Sequence, residues 1–361
     1  MLHKYNSFEK LYIKYLIFKK KYKKMVLVTC LLLIITLNKG VINMNNFKKI
    51  GLSALAGSLV AMSVNAAEMT VSGGAALTYS DTGGATTGNS FTMGDGLTFS
   101  ASGELDNGLT VSSSYVLDNG ALDDFSMTVA TESLGTLTFH GMDGSSALGA
   151  VDDITPNAYE EAWYGGSGTG TVINGISTTN LFQYTSPSFA GATLTYTYAQ
   201  ASATTSVKSV ESWGVAISPE MVEGLTIGYA TQDDKSGAAT TTGYNTADAD
   251  ENTMYIKYVY GPVTFAYQDS ESDSTSNTKD ADSTAWGITY AVSENITVGT
   301  ASHTFETSGN SSLVDQESTN VSASFTSGGM TIAGTVGNVD NVSGVATNDV
   351  DVVEIGVSFA F

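Results

Sequence analysis

The feature that most constrains this chain is a short alternating pattern that recurs from residue 68 to the carboxyl end. In its last copy, apolar residues alternate with small or polar ones, and the apolar residues are Val353, Ile355, Val357, Phe359 and Phe361. Alternation with a period of two places the two sets of side chains on opposite faces of a β-strand. The sequence therefore predicts an all-β protein whose strands have one apolar face and one polar or small face.

About sixteen such segments follow one another, separated by the clusters of Gly, Asn, Asp and Ser that are typical of turns. The predicted strands cover residues 68–80, 90–105, 109–117, 122–130, 135–142, 180–186, 192–201, 206–217, 225–231, 252–260, 263–269, 283–292, 296–305, 317–326, 329–338 and 350–361. After residue 67 no apolar run reaches the roughly 18 residues that a membrane-spanning helix needs.

The connections between these segments alternate in length. Tight links fall at 106–108, 133–135, 186–191, 218–224, 261–262, 293–295 and 327–328, whereas most of the others are long and polar, as at 80–89, 143–179, 232–251, 270–282, 306–316 and 339–349. Short turns on one side and long loops on the other are typical of a transmembrane, antiparallel up-and-down β-barrel. Because an unpaired backbone group is costly in hydrocarbon, such strands must close without free edges. About 16 strands leave a water-filled lumen.

Residues 1–67 are expected to lie outside the barrel, which is assigned to residues 68–361. Residues 44–67 contain two lysines, an apolar run and small residues at 66 and 67, as in a secretory signal peptide with a cleavage site. Residues 1–43 form a lysine-rich N-terminal extension. A mis-assigned start codon explains this extension, and an uncleaved signal anchor is the alternative.

The charge of the barrel segment excludes one class of partner. Eleven of the 15 basic residues lie in the first 49 positions, and residues 68–361 keep four lysines, no arginine and 35 acids, a formal net charge of −31. Nucleic acid is excluded as a partner, because phosphate binding needs Lys or Arg. The single cysteine, Cys30, precedes the barrel, so we expect neither disulfides nor thiol chemistry there.

Three motifs together resemble the general porins of Gram-negative bacteria, most closely the alphaproteobacterial, Rhodobacter-like family. They are LGTLTF at 134–139, YTSPSFAG at 184–191 and IGVSFAF at 355–361. The terminal Phe361 also resembles an outer-membrane sorting signal. The resemblance implies a homotrimer of 16-stranded barrels in the lipid bilayer of the cell outer membrane. Each barrel is expected to be a passive diffusion channel for small hydrophilic solutes and ions, whose third external loop folds inward to narrow the pore.

The third external connection, residues 143–179, is the longest in the barrel segment and matches that loop in position. Its acids Asp152, Asp153, Glu160 and Glu161 are the candidate constriction residues. The alternative for each acid is that it is an ordinary exposed loop residue, which contacts water and has no role in the pore. No catalytic residues are expected, because His140 and His303 have no evident nucleophile nearby, and no resident metal is expected.

The opposite wall departs from the family pattern, which usually places an arginine cluster there. This chain has no arginine, and its only lysines in predicted strands are Lys208 and Lys257, which strand parity places on the lumen face together with His140. The alternative for each lysine is a side chain that merely reaches water near a loop. A narrow aqueous path with an excess of carboxylates favours cations, so the sequence predicts a cation-selective pore.

Three alternatives stay open at the level of sequence. The acids of the predicted external loops could bind Ca²⁺ weakly; they are Asp233, Asp234, Asp248, Asp250, Glu251, Asp269, Glu271, Asp273, Asp280 and Asp282. No other cofactor is expected. The chain could instead be a secreted, acidic, β-rich surface-layer or adhesive protein, although that class explains neither the loop alternation nor the terminal aromatic residue. A substrate-specific channel is the third alternative.

Overall fold

The structure is a computed structural model that describes residues 68–83, 90–164, 173, 175–200, 209–234, 249–274, 280–308 and 312–361. The expected N-terminal extension (1–43) and signal peptide (44–67) lie outside the described residues, as does Lys208. In the part of the chain that the structure covers, no helix is both long and apolar enough to span a membrane.

The described residues form strands joined by turns and loops. The strands are β1 (Glu68–Thr82), β2 (Ser90–Glu104), β3 (Thr110–Asp118), β4 (Ala121–Thr131), β5 (Gly135–Met142), β6 (Gly144–Ser145), β7 (Ser177–Thr178), β8 (Leu181–Thr185), β9 (Ala192–Ala199), β10 (Val210–Ile217), β11 (Leu225–Asp234), β12 (Ala249–Tyr260), β13 (Val263–Ser274), β14 (Asp280–Ala291), β15 (Ile296–Ser308), β16 (Gln316–Ser327), β17 (Met330–Asp340) and β18 (Val350–Ala360). Two short 3₁₀ turns lie at Gly149–Val151 and Val342–Gly344.

All strands except β6 and β7 belong to one closed antiparallel barrel, in which each strand pairs with its neighbours in the chain. The barrel closes where β1 pairs with β18, from Gly74 opposite Ala360 to Thr82 opposite Val352. The terminal Phe361 continues this seam, because its backbone exchanges two hydrogen bonds with Gly73, of 2.7 and 2.9 Å. The predicted up-and-down barrel is confirmed, and its backbone ladder has no free edge.

The two faces of the barrel wall differ in the way that the alternating pattern predicts. On β12, the inward Thr253 and Tyr255 are buried, whereas the outward Met254 is 46% exposed. Across the barrel, inward positions carry mostly small or polar side chains, and large apolar side chains such as Phe91 and Met93 lie on the outside. An outer surface of this kind is stable against hydrocarbon rather than against water.

The sixteen predicted strands correspond to the sixteen barrel strands, and the differences lie at strand ends. Strands β11 to β14 extend further toward the long loops than predicted. Most described acids that were assigned to external loops therefore lie in strands, including Asp233, Asp250, Glu271 and Asp273. The sequence prediction was wrong here because acidic side chains disfavour strands only weakly when both neighbouring strands supply ladder hydrogen bonds.

Two turn glycines offer a matched test of backbone packing. Gly108 and Gly224 both adopt left-handed conformations, with φ of 81° and 83°. An added Cβ at Gly108 would meet nothing within 4 Å, whereas at Gly224 it would overlap the carbonyl oxygen of Val259. We expect Gly108→Ala to lower the free energy of unfolding by about 1–2 kcal/mol through the left-handed conformation alone.

Gly224→Ala should lower the free energy of unfolding by a further ~1–3 kcal/mol, because the backbone of β12 must also move. Denaturant unfolding of the refolded barrel, followed by the heat-modifiable gel shift, measures both values. Equal losses in the two variants would contradict the packing at Gly224.

Candidate functional site

The connection between β5 and β8 spans residues 143–180. Its described residues, 143–164, 173 and 175–180, fold into the barrel and are called the inner loop below. Its first turns dock on the inward faces of β9 and β10. The backbone N–H of Ala147 donates to Thr197 Oγ1 and that of Leu148 donates to Ser212 Oγ, both at 3.0 Å. Since both acceptors are buried inward side chains, these bonds fix the root of the inner loop against the wall.

The middle of the inner loop is held by a single wall side chain, Gln268 on β13. Its Oε1 accepts from the N–H of Ile154 at 2.9 Å. Its Nε2 donates to the carbonyl oxygens of Val151 at 2.7 Å and Asp152 at 3.0 Å. A buried amide that both donates and accepts satisfies loop backbone groups that have no ladder partner.

Past Gln268 the inner loop follows the wall to the barrel seam. The N–H of Ala158 donates to Ser322 Oγ at 3.1 Å, and Asn320 Nδ2 donates to the carbonyl oxygen of Glu160 at 2.7 Å. These partners lie on β16. The inner loop therefore crosses the lumen faces of successive strands from β9 toward β18.

The far end of the inner loop is anchored by Glu354, a buried inward residue of β18. Tyr159 donates its hydroxyl proton to Glu354 Oε1 at 2.9 Å, and the hydroxyl of Tyr164 bonds to Oε2. The Tyr164 hydroxyl also lies 3.1 Å from Ser80 Oγ on β1. Two phenols that converge on one carboxylate make strong, charge-assisted hydrogen bonds, so the β1–β18 seam also holds this part of the inner loop.

Glycines in the wall let the inner loop approach this closely. A Cβ at Gly287 would lie 2.7 Å from the carbonyl oxygen of Pro156, and a Cβ at Gly356 would overlap the Tyr159 hydroxyl. Sequence reasoning missed these glycines as well as Gln268 and Glu354. Strand alternation in the sequence places these residues on the inward face. The neighbouring sequence, however, does not show that a residue far away in the chain will dock on them.

The structure brings the four predicted acids together. Asp152 follows the 3₁₀ turn, and Asp153 accepts hydrogen bonds from the N–H and hydroxyl of Thr155, at 3.2 and 3.0 Å. Glu161 is close enough to raise the pKa of both Asp153 and Glu160. Acids eight positions apart in sequence therefore share one electrostatic environment.

Burial and mutual repulsion raise the pKa of three of these acids. Burial, followed by the charge of Asp153, raises the pKa of Asp152 to about 6. Burial and then Glu161 raise the pKa of Asp153 to about 6, while the Thr155 hydrogen bonds and Lys257 act in the opposite direction. Burial, Glu161 and Glu354 raise the pKa of Glu160 to about 7. The charge carried by these three acids therefore changes near neutral pH.

Of the predicted wall residues, Lys257 lies with the acids and His140 does not. Lys257 is on the inward face of β12, near enough to Asp153 to lower its pKa. His140 is at the root of the inner loop. It packs close to Gly144, where an added Cβ would lie 2.5 Å from the Cβ of His140. His140 Nε2 is 3.2 Å from Gln183 Oε1.

Strands β2, β3 and β4 form the wall across the barrel from β12, β13 and β14. By register its inward positions are mainly serine, threonine and glycine, and its inward charged residues, Glu104, Asp118 and Asp124, are all acidic. Within the described residues, Lys257 is the only lysine or arginine. The acidic inner loop therefore faces a wall without a described positive charge.

Comparisons with known proteins agree with this architecture. A sequence model described as "Gram-negative porin" matches residues 51–310. No curated protein sequence matches the chain. One similar solved structure is an anion-selective porin from Comamonas acidovorans, with a TM-score of 0.64 and 15% identity over 82% of this chain and 100% of that one. A triple mutant of the Rhodopseudomonas blastica porin gives a TM-score of 0.56 and 13% identity over 81% and 100%.

The anchor at Glu354 predicts how the tip of the inner loop responds to substitution. Replacing both Tyr159 and Tyr164 with Phe removes two hydrogen bonds to a charged group, each worth about 1.5–3 kcal/mol. We expect a larger mean single-channel conductance and more current noise, because the tip is no longer held at the seam. Planar-bilayer recording measures both.

Tyr79→Phe is the matched control, since this tyrosine lies on the outer face of β1 beside Phe91. It should leave conductance and noise unchanged. Wild-type conductance and noise in the double variant would contradict the anchoring role of the two hydroxyls.

Proposed function

Since the chain belongs to the Gram-negative porin family, we propose that its outer-membrane channel is a passive, cation-selective diffusion pore for small hydrophilic solutes and ions. A closed barrel with an apolar outside and a polar inside is suited to hold an aqueous path across a bilayer. Family and fold indicate a channel rather than an enzyme or a surface-layer protein. The observation that carries the proposed selectivity is the acidic inner loop facing a wall without a described cation.

The chemistry of the constriction supports a preference for cations. Asp152, Asp153, Glu160 and Glu161 lie on the inner loop, and Lys257 can offset only part of their charge. Carboxylates that line a narrow water-filled passage attract cations and repel anions. The Comamonas porin is described as anion-selective. At 15% identity, the similarity to that structure supports only a shared fold, so we base the proposed selectivity on the charges of this chain.

Two further properties are proposed from the family resemblance and the composition. We propose that the channel assembles as a homotrimer. We also propose that Ca²⁺ binds only loosely to the acidic external rim. Among the residues that the structure describes, no group of three or more His, Cys, Asp or Glu residues is arranged to hold a metal ion.

The proposed selectivity can be tested by neutralising the constriction. In the variant D152N/D153N/E160Q/E161Q, we expect the K⁺/Cl⁻ permeability ratio to fall several-fold. One charge at close range changes an ion's energy by about 1 kcal/mol even in a water-like dielectric. The reversal potential across a planar bilayer in a KCl gradient gives the ratio.

The double variant D250N/D273N is the control, because these two carboxylates lie on the outer face of the barrel wall and not in the lumen. It should change the ratio much less than the constriction variant does. A reversal potential near zero or of the anion-selective sign in the wild-type channel would overturn the proposal.

The raised pKa values predict that selectivity depends on pH. Above pH 8 Asp152, Asp153 and Glu160 are ionised, whereas at pH 5 most of each carries a proton, since their pKa values are about 6, 6 and 7. The K⁺/Cl⁻ permeability ratio should therefore fall as pH decreases from 8 to 5. In the neutralised variant the ratio should hardly change over this range, and an equally steep change there would assign the titration to other groups.

A further inference from the structure

Two side chains of the inner loop pack on alternate inward residues of β15. The ring of Trp163 lies against the imidazole of His303, with 5.0 Å between the ring centroids and an interplanar angle of 59°. Ile173 is fully buried and packs with Phe305 and Ala281. The rings of His303 and Phe305 are 6.5 Å apart. One strand of the wall therefore supports the inner loop at Trp163 and again at Ile173.

The imidazole of His303 is almost completely buried, with 1% of the residue exposed. Its Nε2 lies 2.9 Å from Ser283 Oγ on β14. Its Nδ1 is buried and has no hydrogen-bond partner among the described residues, and the same holds for the hydroxyl of Ser318, directly opposite on β16. A neutral imidazole leaves Nδ1 there as an unpaired acceptor, whereas an imidazolium would bury an unpaired N–H that carries positive charge.

No carboxylate of the described parts of β14, β15 and β16 faces this imidazole. The acids of these strands alternate with the buried inward residues and therefore point outward; they are Asp280, Asp282, Glu306 and Glu317. Lys279, which precedes β14, lies outside the described residues.

The ionisable groups of the inner loop that are nearest to Trp163 in sequence interact with other partners. Glu160 interacts with Glu161 and with Glu354 on β18, and the hydroxyl of Tyr164 bonds to Glu354. Residues 165–172 and 174 contain no ionisable side chain. Within the described structure, the surroundings of His303 therefore suit its neutral form.

We propose that neutral His303 is a positioning residue for the inner loop, and that protonation of His303 releases Trp163 from β15. The ring of Trp163 offers an imidazolium a cation–π attraction, but this attraction offsets only part of the cost of burying a charge without a counter-ion. To reach the water of the lumen, the imidazolium must displace Trp163. This contact is separate from the anchor at Glu354, and the inference does not rest on the proposed ion selectivity.

A single-tryptophan variant allows the position of Trp163 to be followed directly. The chain has three tryptophans, and Trp213 and Trp286 lie on the outer face of the barrel, 43% and 40% exposed. The variant W213F/W286F, which keeps only Trp163, is refolded in detergent micelles. Quenching of its fluorescence by acrylamide, an uncharged and water-soluble quencher, is recorded from about pH 7 to about pH 3. The heat-modifiable gel shift at each pH reports whether the barrel is folded.

We expect the quenching constant of Trp163 to rise about twofold as pH decreases and to return at neutral pH, because the charged imidazole no longer holds the half-buried indole on the wall. H303F fills the same space with an apolar ring, and H303Q keeps a hydrogen-bonding side chain. Neither residue takes up a proton, so both profiles should be flat, and the second variant decides the test if the first does not fold.

H140Q is the matched control, because His140 is the other histidine of residues 68–361. It should keep the rise. A flat profile in the protein that retains His303 would overturn the proposal. An equal rise in H303F and H303Q would also overturn it and assign the movement to carboxyl groups, as would a rise lost in H140Q or one that occurs only as the folded gel band disappears. Since the fluorescence does not require ion flow, failure of the proposed selectivity would leave this result unchanged.

Discussion

Backbone hydrogen bonding in a medium without water is the constraint on which the rest of this structure depends. In hydrocarbon an unpaired N–H or C=O costs several kcal/mol, so the strands must pair all the way round. The seam between β1 and β18, completed by Gly73 and Phe361, meets this condition. Closure puts the apolar side chains outside and leaves a polar inner surface on which a second layer of chain can dock.

The inner loop depends on that polar surface, because its described residues have little secondary structure apart from a short 3₁₀ turn and the β6–β7 pair. Several of its backbone groups bond to wall side chains, among which Gln268 bonds to three loop residues. Glu354 connects the two parts of the structure, since it lies on the strand that closes the barrel and accepts the phenols that hold the loop tip. The same strand therefore contributes to both the closed wall and the narrowed lumen.

Crowding of acids is the electrostatic consequence of this docking. Following the wall brings Glu161 near Asp153 and places Glu160 near Glu354, so the pKa values of Asp153 and Glu160 are raised. Opposite them, the small hydroxyl side chains of β2 to β4 contribute no positive charge.

The sequence by itself determined the barrel, the number of its strands and which residues form the long connection that contains the inner loop. It could do so because strand alternation and connection length are local patterns, from which the pairing rules for strands give the barrel. From their type and their loop it also predicted Asp152, Asp153, Glu160 and Glu161 as constriction residues, and this stays a prediction. It did not point to Gln268 and Glu354, whose partners lie more than a hundred residues away. It placed Asp233 and Asp250 in loops, because local propensity cannot report how far a strand is extended by its neighbours. Which side chains meet across the lumen was decided by the tertiary structure alone, since closure sets the distance between residues that no sequence pattern relates.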